Sequence, residues 1–218
     1  MVYEINITGK KNNEMIGIVN TNHANIKSLS NIYTDLGIKY LIINDPTDFK
    51  KITKLIIPGI GTFDSVINNL KDKQIYQEIN NFALNLKKPV LGICIGMHIF
   101  FNSSEEGNEY GFGWIDNEII KLSSQNTRYP HIGWNNVDFE NNNNLFNDIN
   151  NKSYFYFLHS YGLKNQFRNK EIQCGYTNYG EIFISSFKYK NFYGVQFHPE
   201  KSHKNGIKIL NNFSKINV

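Results

Sequence analysis

The apolar positions of the chain follow two rhythms. In the first half they form short unbroken runs, "MIGIV" within residues 15–20, "YLII" within 38–45 and "KLII" at the start of 54–61. Each has the length and composition of a strand buried on both faces. Between the first two, Ile26, Leu29, Ile32, Tyr33 and Leu36 recur at three- and four-residue intervals, so a helix is predicted, with Gly37 as its stop. The third run is predicted to break at Pro58. Helical spacing returns in "DSVINNL" and across 75–86, and "PVLGI" (89–93) is a fourth strand that runs directly into Cys94. Strand and helix in alternation imply a parallel sheet covered on both faces.

The second half has a different texture. Residues 153–161, 181–187 and 191–198 are aromatic-rich strands joined by short turns, and only 204–213 regain helical spacing. The expected architecture is therefore one α/β domain over residues 15–218. It has a central, mostly parallel sheet flanked by helices, with additional antiparallel strands. Residues 1–14 read as an N-terminal extension, and "NNNN" at 141–144 as a low-complexity loop.

Composition narrows the function classes. At 218 residues the chain can bury a substantial core. Its net charge of +4 is carried by lysines dispersed along the sequence, whereas a nucleic-acid groove needs basic residues clustered with aromatics. No apolar run approaches the roughly 18–20 residues that span a bilayer, and the first residues lack the basic-then-apolar order of a signal peptide. Two cysteines, Cys94 and Cys174, are too few for a disulfide framework. A cytoplasmic protein with reduced thiols is expected.

The candidate chemistry centres on "GICIG" (92–96), a glycine-bracketed Cys94 at a strand-to-helix turn. This is the form of a nucleophile elbow with cysteine in place of serine. The turn exposes the side chain, the glycines avoid collision with the neighbouring strand, and the following helix aims N–H groups at the sulfur. The Ile95 N–H is the natural oxyanion donor. A thiolate nucleophile needs a base, and the base needs an orienting group. "QFHPEKS" (196–202) offers both: His198 ends a strand, and extended geometry would put Glu200 on the same side as its ring. The nearer His98 has no acid at such spacing. Cys174 lacks any comparable setting.

"PGIG" (58–61), "GICIGM" (92–97), "PHIGWN" (130–135), "HSY" (159–161) and "QFHPEKS" stand in the order found in class I, triad-type glutamine amidotransferases. "PHIGWN" with "FHPEKS" resembles, within that class, the glutaminase subunits of imidazole glycerol phosphate synthases of histidine biosynthesis. The resemblance covers roughly residues 15–215 and implies a flavodoxin-like amidotransferase fold. It implies that a Cys94–His198–Glu200 triad hydrolyses the side-chain amide of L-glutamine and passes ammonia to a synthase (cyclase) subunit in a heterodimer. No cofactor or metal is implied.

The resemblance also assigns supporting roles. Gly59 and Ile60 would complete the oxyanion hole with Ile95, on a strand whose peptide flip is proposed in the family to link partner state to activity. His98, Glu106, Ser160 and Tyr161 would hold substrate glutamine. Asn25, Trp134 and Lys201 would contact the partner. Two departures stand out. His98 occupies a position where the family commonly has glutamine, and "NTNHAN" (20–25) replaces a loop that usually reads like "DYGxGN" and faces the synthase. The altered loop keeps open a relative that feeds ammonia to an amidino-sugar synthase. A stand-alone γ-glutamyl cysteine hydrolase and a non-catalytic paralogue are disfavoured by the partner motifs and by the intact triad.

Overall fold

A computed structural model describes residues 14–22, 24–123, 127–139, 143–164, 167 and 171–217. The extension read from the sequence lies outside the described residues except for Glu14, as do Asn141 and Asn142 of the asparagine run. Asn143 lies within the fold, where its side chain accepts the Leu145 N–H at the start of a short 3₁₀ turn.

In chain order the elements begin with β1 (Ile16–Val19), α1 (Ile26–Asp35), β2 (Tyr40–Ile43), β3 (Lys54–Gly59), α2 (Phe63–Asp72), α3 (Tyr76–Asn80), β4 (Val90–Cys94) and α4 (Ile95–His98). There follow β5 (Ser103–Ser104), β6 (Glu118–Lys121), β7 (His131–Asn136), β8 (Asp138–Phe139), β9 (Tyr154–His159) and β10 (Tyr161–Lys164). The chain closes with β11 (Gln173–Asn178), β12 (Ile182–Tyr189), β13 (Phe192–Val195) and α5 (His203–Ser214).

The main sheet runs β2-β1-β3-β4-β13-β12-β10-β6-β5, with β11 and β8 attached along β12. Its first five strands are all parallel. The remainder is antiparallel apart from the β5–β6 pair. The inner parallel strands are apolar because helices cover both faces: β1, β3, β4 and β13 are buried at every position, while the edge strand β2 is buried only at Ile43. α1 starts where Asn25 accepts the Ser28 N–H, buries Leu29 and Tyr33, and stops before Gly37, whose φ of +67° suits a residue without Cβ. α2 is opened by a reciprocal Thr62/Ser65 cap and buries Phe63, Val66, Ile67 and Leu70. No helix among the described residues is long and apolar enough to cross a membrane.

Three expectations are corrected and one, the helix over 75–86, is refined. β3 does not break at Pro58 but continues to Gly59, with Pro58 paired to Ile93. Its missing N–H would face the β1 side, where pairing has already ended at Ile56, and its carbonyl accepts the Thr21 hydroxyl instead. The helix over 75–86 is α3 continued by a π-helical turn at Asn81–Asn85. The strand over 153–161 is two strands: β9 pairs only with β7 in a separate two-stranded sheet, and β10 enters the main sheet. Finally, β13, drawn from the antiparallel half of the sequence, lies parallel beside β4.

Candidate active site

The parallel strands deliver three segments to one end of the sheet. Cys94 is the last residue of β4, opposite Gly59 of β3. On the other side Ile93 pairs with Val195, so one step further on Gln196 stands beside Cys94. His198 follows two residues later.

Cys94 has φ 53° and ψ −114°, a conformation that L residues rarely adopt and that costs on the order of 1–3 kcal/mol. Packing enforces it. A Cβ on Gly96 would lie 1.7 Å from the Ile57 carbonyl oxygen of β3, and one on Gly92 would lie 2.4 Å from the Gly96 carbonyl oxygen. The elbow expected from the sequence is present, with one refinement: only Gly96 avoids the neighbouring strand, whereas Gly92 makes room for the turn that follows the cysteine. That turn leads into a helix of a single turn, α4, too short to supply a long helix dipole, and its first residue Ile95 borders the site.

His198 Nδ1 lies 2.9 Å from Glu200 Oε1, and both side chains are buried. The carboxylate fixes the tautomer: Nδ1 carries the proton and Nε2 is free for the sulfur side. Glu200 does not reach the ring through extended backbone, as the sequence suggested. A 3₁₀ turn at Pro199–Lys201 folds it back. Burial opposes a charge on His198, but the neighbouring Cys94 sulfur and then Glu200 outweigh it and raise the imidazole pKa to about 10. Nε2 has no hydrogen-bond partner among the described residues.

The base is held by a closed ring of three hydrogen bonds. The His198 N–H donates to the Tyr156 carbonyl (2.8 Å), the Tyr156 N–H to Ser202 Oγ (2.9 Å), and the Ser202 hydroxyl to the His198 carbonyl (2.6 Å). α5 locks the same turn from below, since a Cβ on Gly206 would lie 1.8 Å from the Pro199 carbonyl oxygen.

A cavity of about 220 Å³ opens over Cys94 and His198. Ile60, Ile95, His98, Glu106, Ser160 and Tyr161 all border it. Gly59 does not: it lies behind Ile60, where a Cβ would stand 2.7 Å from the Gly96 nitrogen. Glu106 is half-buried, with Oε2 accepting the Phe63 N–H at 2.9 Å, and burial raises its pKa. His98 is fully buried. Its Nε2 is committed to Gln196 at 2.7 Å, and burial lowers its pKa to about 4, so it is a neutral group and no base.

Four further residues line the cavity: Gly61, Pro130 and His159 fall within the sequence motifs, whereas Leu158 falls in none of them. His159 donates from Nδ1 to the Tyr161 carbonyl (2.9 Å) and accepts at Nε2 from His131 Nδ1 (3.1 Å). Burial holds both histidines neutral. Gln196 lies within the "QFHPEKS" motif, but the sequence alone assigns it no role.

The residues expected to contact a partner lie away from this cavity. Asn25 is exposed and caps α1. Trp134 is 45% exposed on β7, opposite Tyr156 of β9, and Lys201 Nζ lies 5.6 Å from the Tyr156 ring centre.

An elbow cysteine, a carboxylate-oriented histidine in the turn after the adjacent parallel strand and a small cavity over both have the geometry of a cysteine acyl-transfer centre. The model of the class-I glutamine amidotransferases matches residues 16–216, and the chain belongs to that family. Its similarity is to the imidazole glycerol phosphate synthase subunits HisH: HisH 2 of Methanococcus maripaludis is 42% identical over 92% of this chain and 99% of its own length. HisH of Leptospira borgpetersenii is 37% identical over 93% and 100%. Solved structures share the fold at lower identity. One glutamine amidotransferase crystal structure has a TM-score of 0.70 at 12% identity, covering 92% of this chain and 99% of its own. PurLQS from Thermotoga maritima has 0.66 at 17%, covering 92% and 97%.

Proposed function

We propose that this chain is the glutaminase subunit of an imidazole glycerol phosphate synthase, hydrolysing L-glutamine and passing ammonia to a cyclase subunit in histidine biosynthesis. The observation that carries the chemistry is the His198–Glu200 pair at 2.9 Å, in the turn that follows the strand beside an elbow cysteine. Cys94 attacks the side-chain amide carbon, and the oxyanion forms against the Ile95 amide and the Ile60 segment. The C–N bond breaks as His198 gives its proton to the departing ammonia. Water, deprotonated by His198, then releases glutamate from the thioester. Glu200 keeps the ring tautomer and stabilises the imidazolium. Glu106, as a carboxylate at the cavity wall, suits the α-ammonium of glutamine, and the Ser160–Tyr161 segment suits its α-carboxylate.

The partner surface is the outer face of the β7–β9 hairpin. Ile132 and Trp134 from β7 and Tyr154 from β9 are all about half exposed there, an unusual concentration of large apolar groups beside the base-holding turn. The names of the relatives favour the cyclase over an amidino-sugar synthase as the occupant. The chain is expected to act in the cytoplasm, as a domain from residue 15 onward.

The test is reconstitution. Mixed with a cyclase subunit, the chain should support glutamine-dependent imidazole ring closure, and its glutamine turnover should rise on mixing. Full turnover by the isolated chain, indifferent to the cyclase, would instead indicate a stand-alone hydrolase.

A further inference from the structure

Two groups of opposite character approach the Cys94 sulfur. The Leu158 carbonyl oxygen, 3.8 Å away, can only accept, so it serves the neutral thiol. The Gln196 side-chain nitrogen, 3.6 Å away, can only donate, so its bond strengthens as the sulfur ionises. The other end of that amide is fixed. Gln196 Oε1 lies 2.7 Å from His98 Nε2, and Gln196 and His98 are both fully buried.

The hydrogen-bond roles are mutually determined. Oε1 is an acceptor, so His98 Nε2 carries the ring proton and Nδ1 is a bare lone pair, with no partner among the described residues. Turning the amide over would set a carbonyl oxygen against the sulfur and force a buried, unpartnered N–H onto Nδ1. Strand register dictates the contact, since Cys94 and Gln196 sit one step beyond the Ile93–Val195 pair. The low pKa of His98 fits a permanently neutral donor.

Building on the reading of Cys94 as nucleophile, we propose that Gln196 is a catalytic hydrogen-bond donor to the Cys94 thiolate, and that His98 is the positioning residue that keeps its N–H end toward the sulfur. This gives the departure at position 98 a physical meaning. Histidine and glutamine both present an N–H to Gln196 Oε1, and an aliphatic residue cannot. The other titratable groups at the cavity are His198 with Glu200 from the turn after β13, His159 from β9, Tyr161 from β10, and Glu106 from the segment after β5. All of them stay unaltered when Gln196 or His98 is replaced.

The test measures the pH dependence of Cys94 alkylation by iodoacetamide in the full chain, read at the Cys94 peptide by mass spectrometry so that Cys174 does not contribute. Gln196→Met should move the alkylation midpoint up by on the order of one pH unit and lower kcat for glutamine roughly tenfold, with KM nearly unchanged. His98→Leu should shift the midpoint in the same direction by less, and His98→Gln should restore the parental profile. His98→Leu leaves Gln196 in place and so keeps the test open should Gln196→Met fail to fold. An unchanged midpoint in folded Gln196→Met, or in His98→Leu when that is the only folded variant, overturns the proposal. If His98→Gln behaves like His98→Leu, the positioning role falls. Either failure leaves the assignment of Cys94 intact; that assignment falls only if Cys94→Ala still turns over glutamine.

Discussion

The two segments that carry the chemistry are neighbours in the sheet but are held by opposite means. Cys94 is held by missing atoms: its unfavourable backbone survives because Gly92 and Gly96 let β4, α4 and the Ile57 carbonyl approach more closely than any Cβ permits. His198 is held by added bonds. Its own backbone is ordinary, with φ −99° and ψ 98°, and the Tyr156–Ser202 ring, the Glu200 carboxylate and α5 all restrain it. A site held by exclusion fails abruptly when volume is added. A site held by several bonds fails in steps as they are removed.

The largest effects test whether both segments serve one reaction. Cys94→Ala should reduce glutamine turnover by roughly a thousandfold or more while leaving the thermal transition nearly in place. Retained turnover would remove the nucleophile. His198→Asn should cost roughly 10²–10⁴-fold in the same assay. Were His98→Gln the more damaging of the two histidine changes, the base would have been misassigned.

The next pair addresses the contrast itself. Gly96→Ala drives a Cβ into the Ile57 carbonyl, so denaturant unfolding should show a loss of about 3 kcal/mol or more, together with loss of activity. Ser202→Ala removes two of the three bonds in the ring, yet should cost only about 1–3 kcal/mol and a few-fold in activity, because Glu200 and α5 still hold the turn. Equal losses from the two changes would mean that the elbow is not the more brittle segment.

The same contrast explains what can be read from the sequence. The parallel half is legible because its strands are buried on both faces and its helices carry caps and a glycine stop, all local signals. The triad is legible because its residues sit in two compact motifs. The β7–β9 hairpin is not: β7 is half exposed, and Gly133 at φ +128° interrupts any simple alternation. β11 escapes as well, and its pairing register shifts between Gly175 and Tyr176. The Gln196–Cys94 contact joins residues 102 apart and exists only through the parallel register of β13 on β4, which nothing local encodes. Pro58 misleads for a related reason: a proline at the end of a strand is harmless once the adjacent strand has stopped.

The smallest expected effect concerns acid. His98 and His131 both have pKa values lowered from 6.5 to about 4 by burial, and that of His159 is lowered as well. Between about pH 6.5 and 4 the unfolded chain therefore binds more protons at these positions than the folded one, so stability falls as the pH falls through that window. His198 acts in the opposite sense. With its pKa raised to about 10, the folded state holds an extra proton above 6.5, and that contribution fades as the pH rises toward 10. Melting temperature should accordingly peak near neutrality and decline on the acid side, and His98→Gln should flatten that acid decline by removing one of its three sources. An acid limb equally steep in His98→Gln would mean that His98 becomes protonated without leaving the fold, and that the buried bond to Gln196 is looser than its 2.7 Å separation implies.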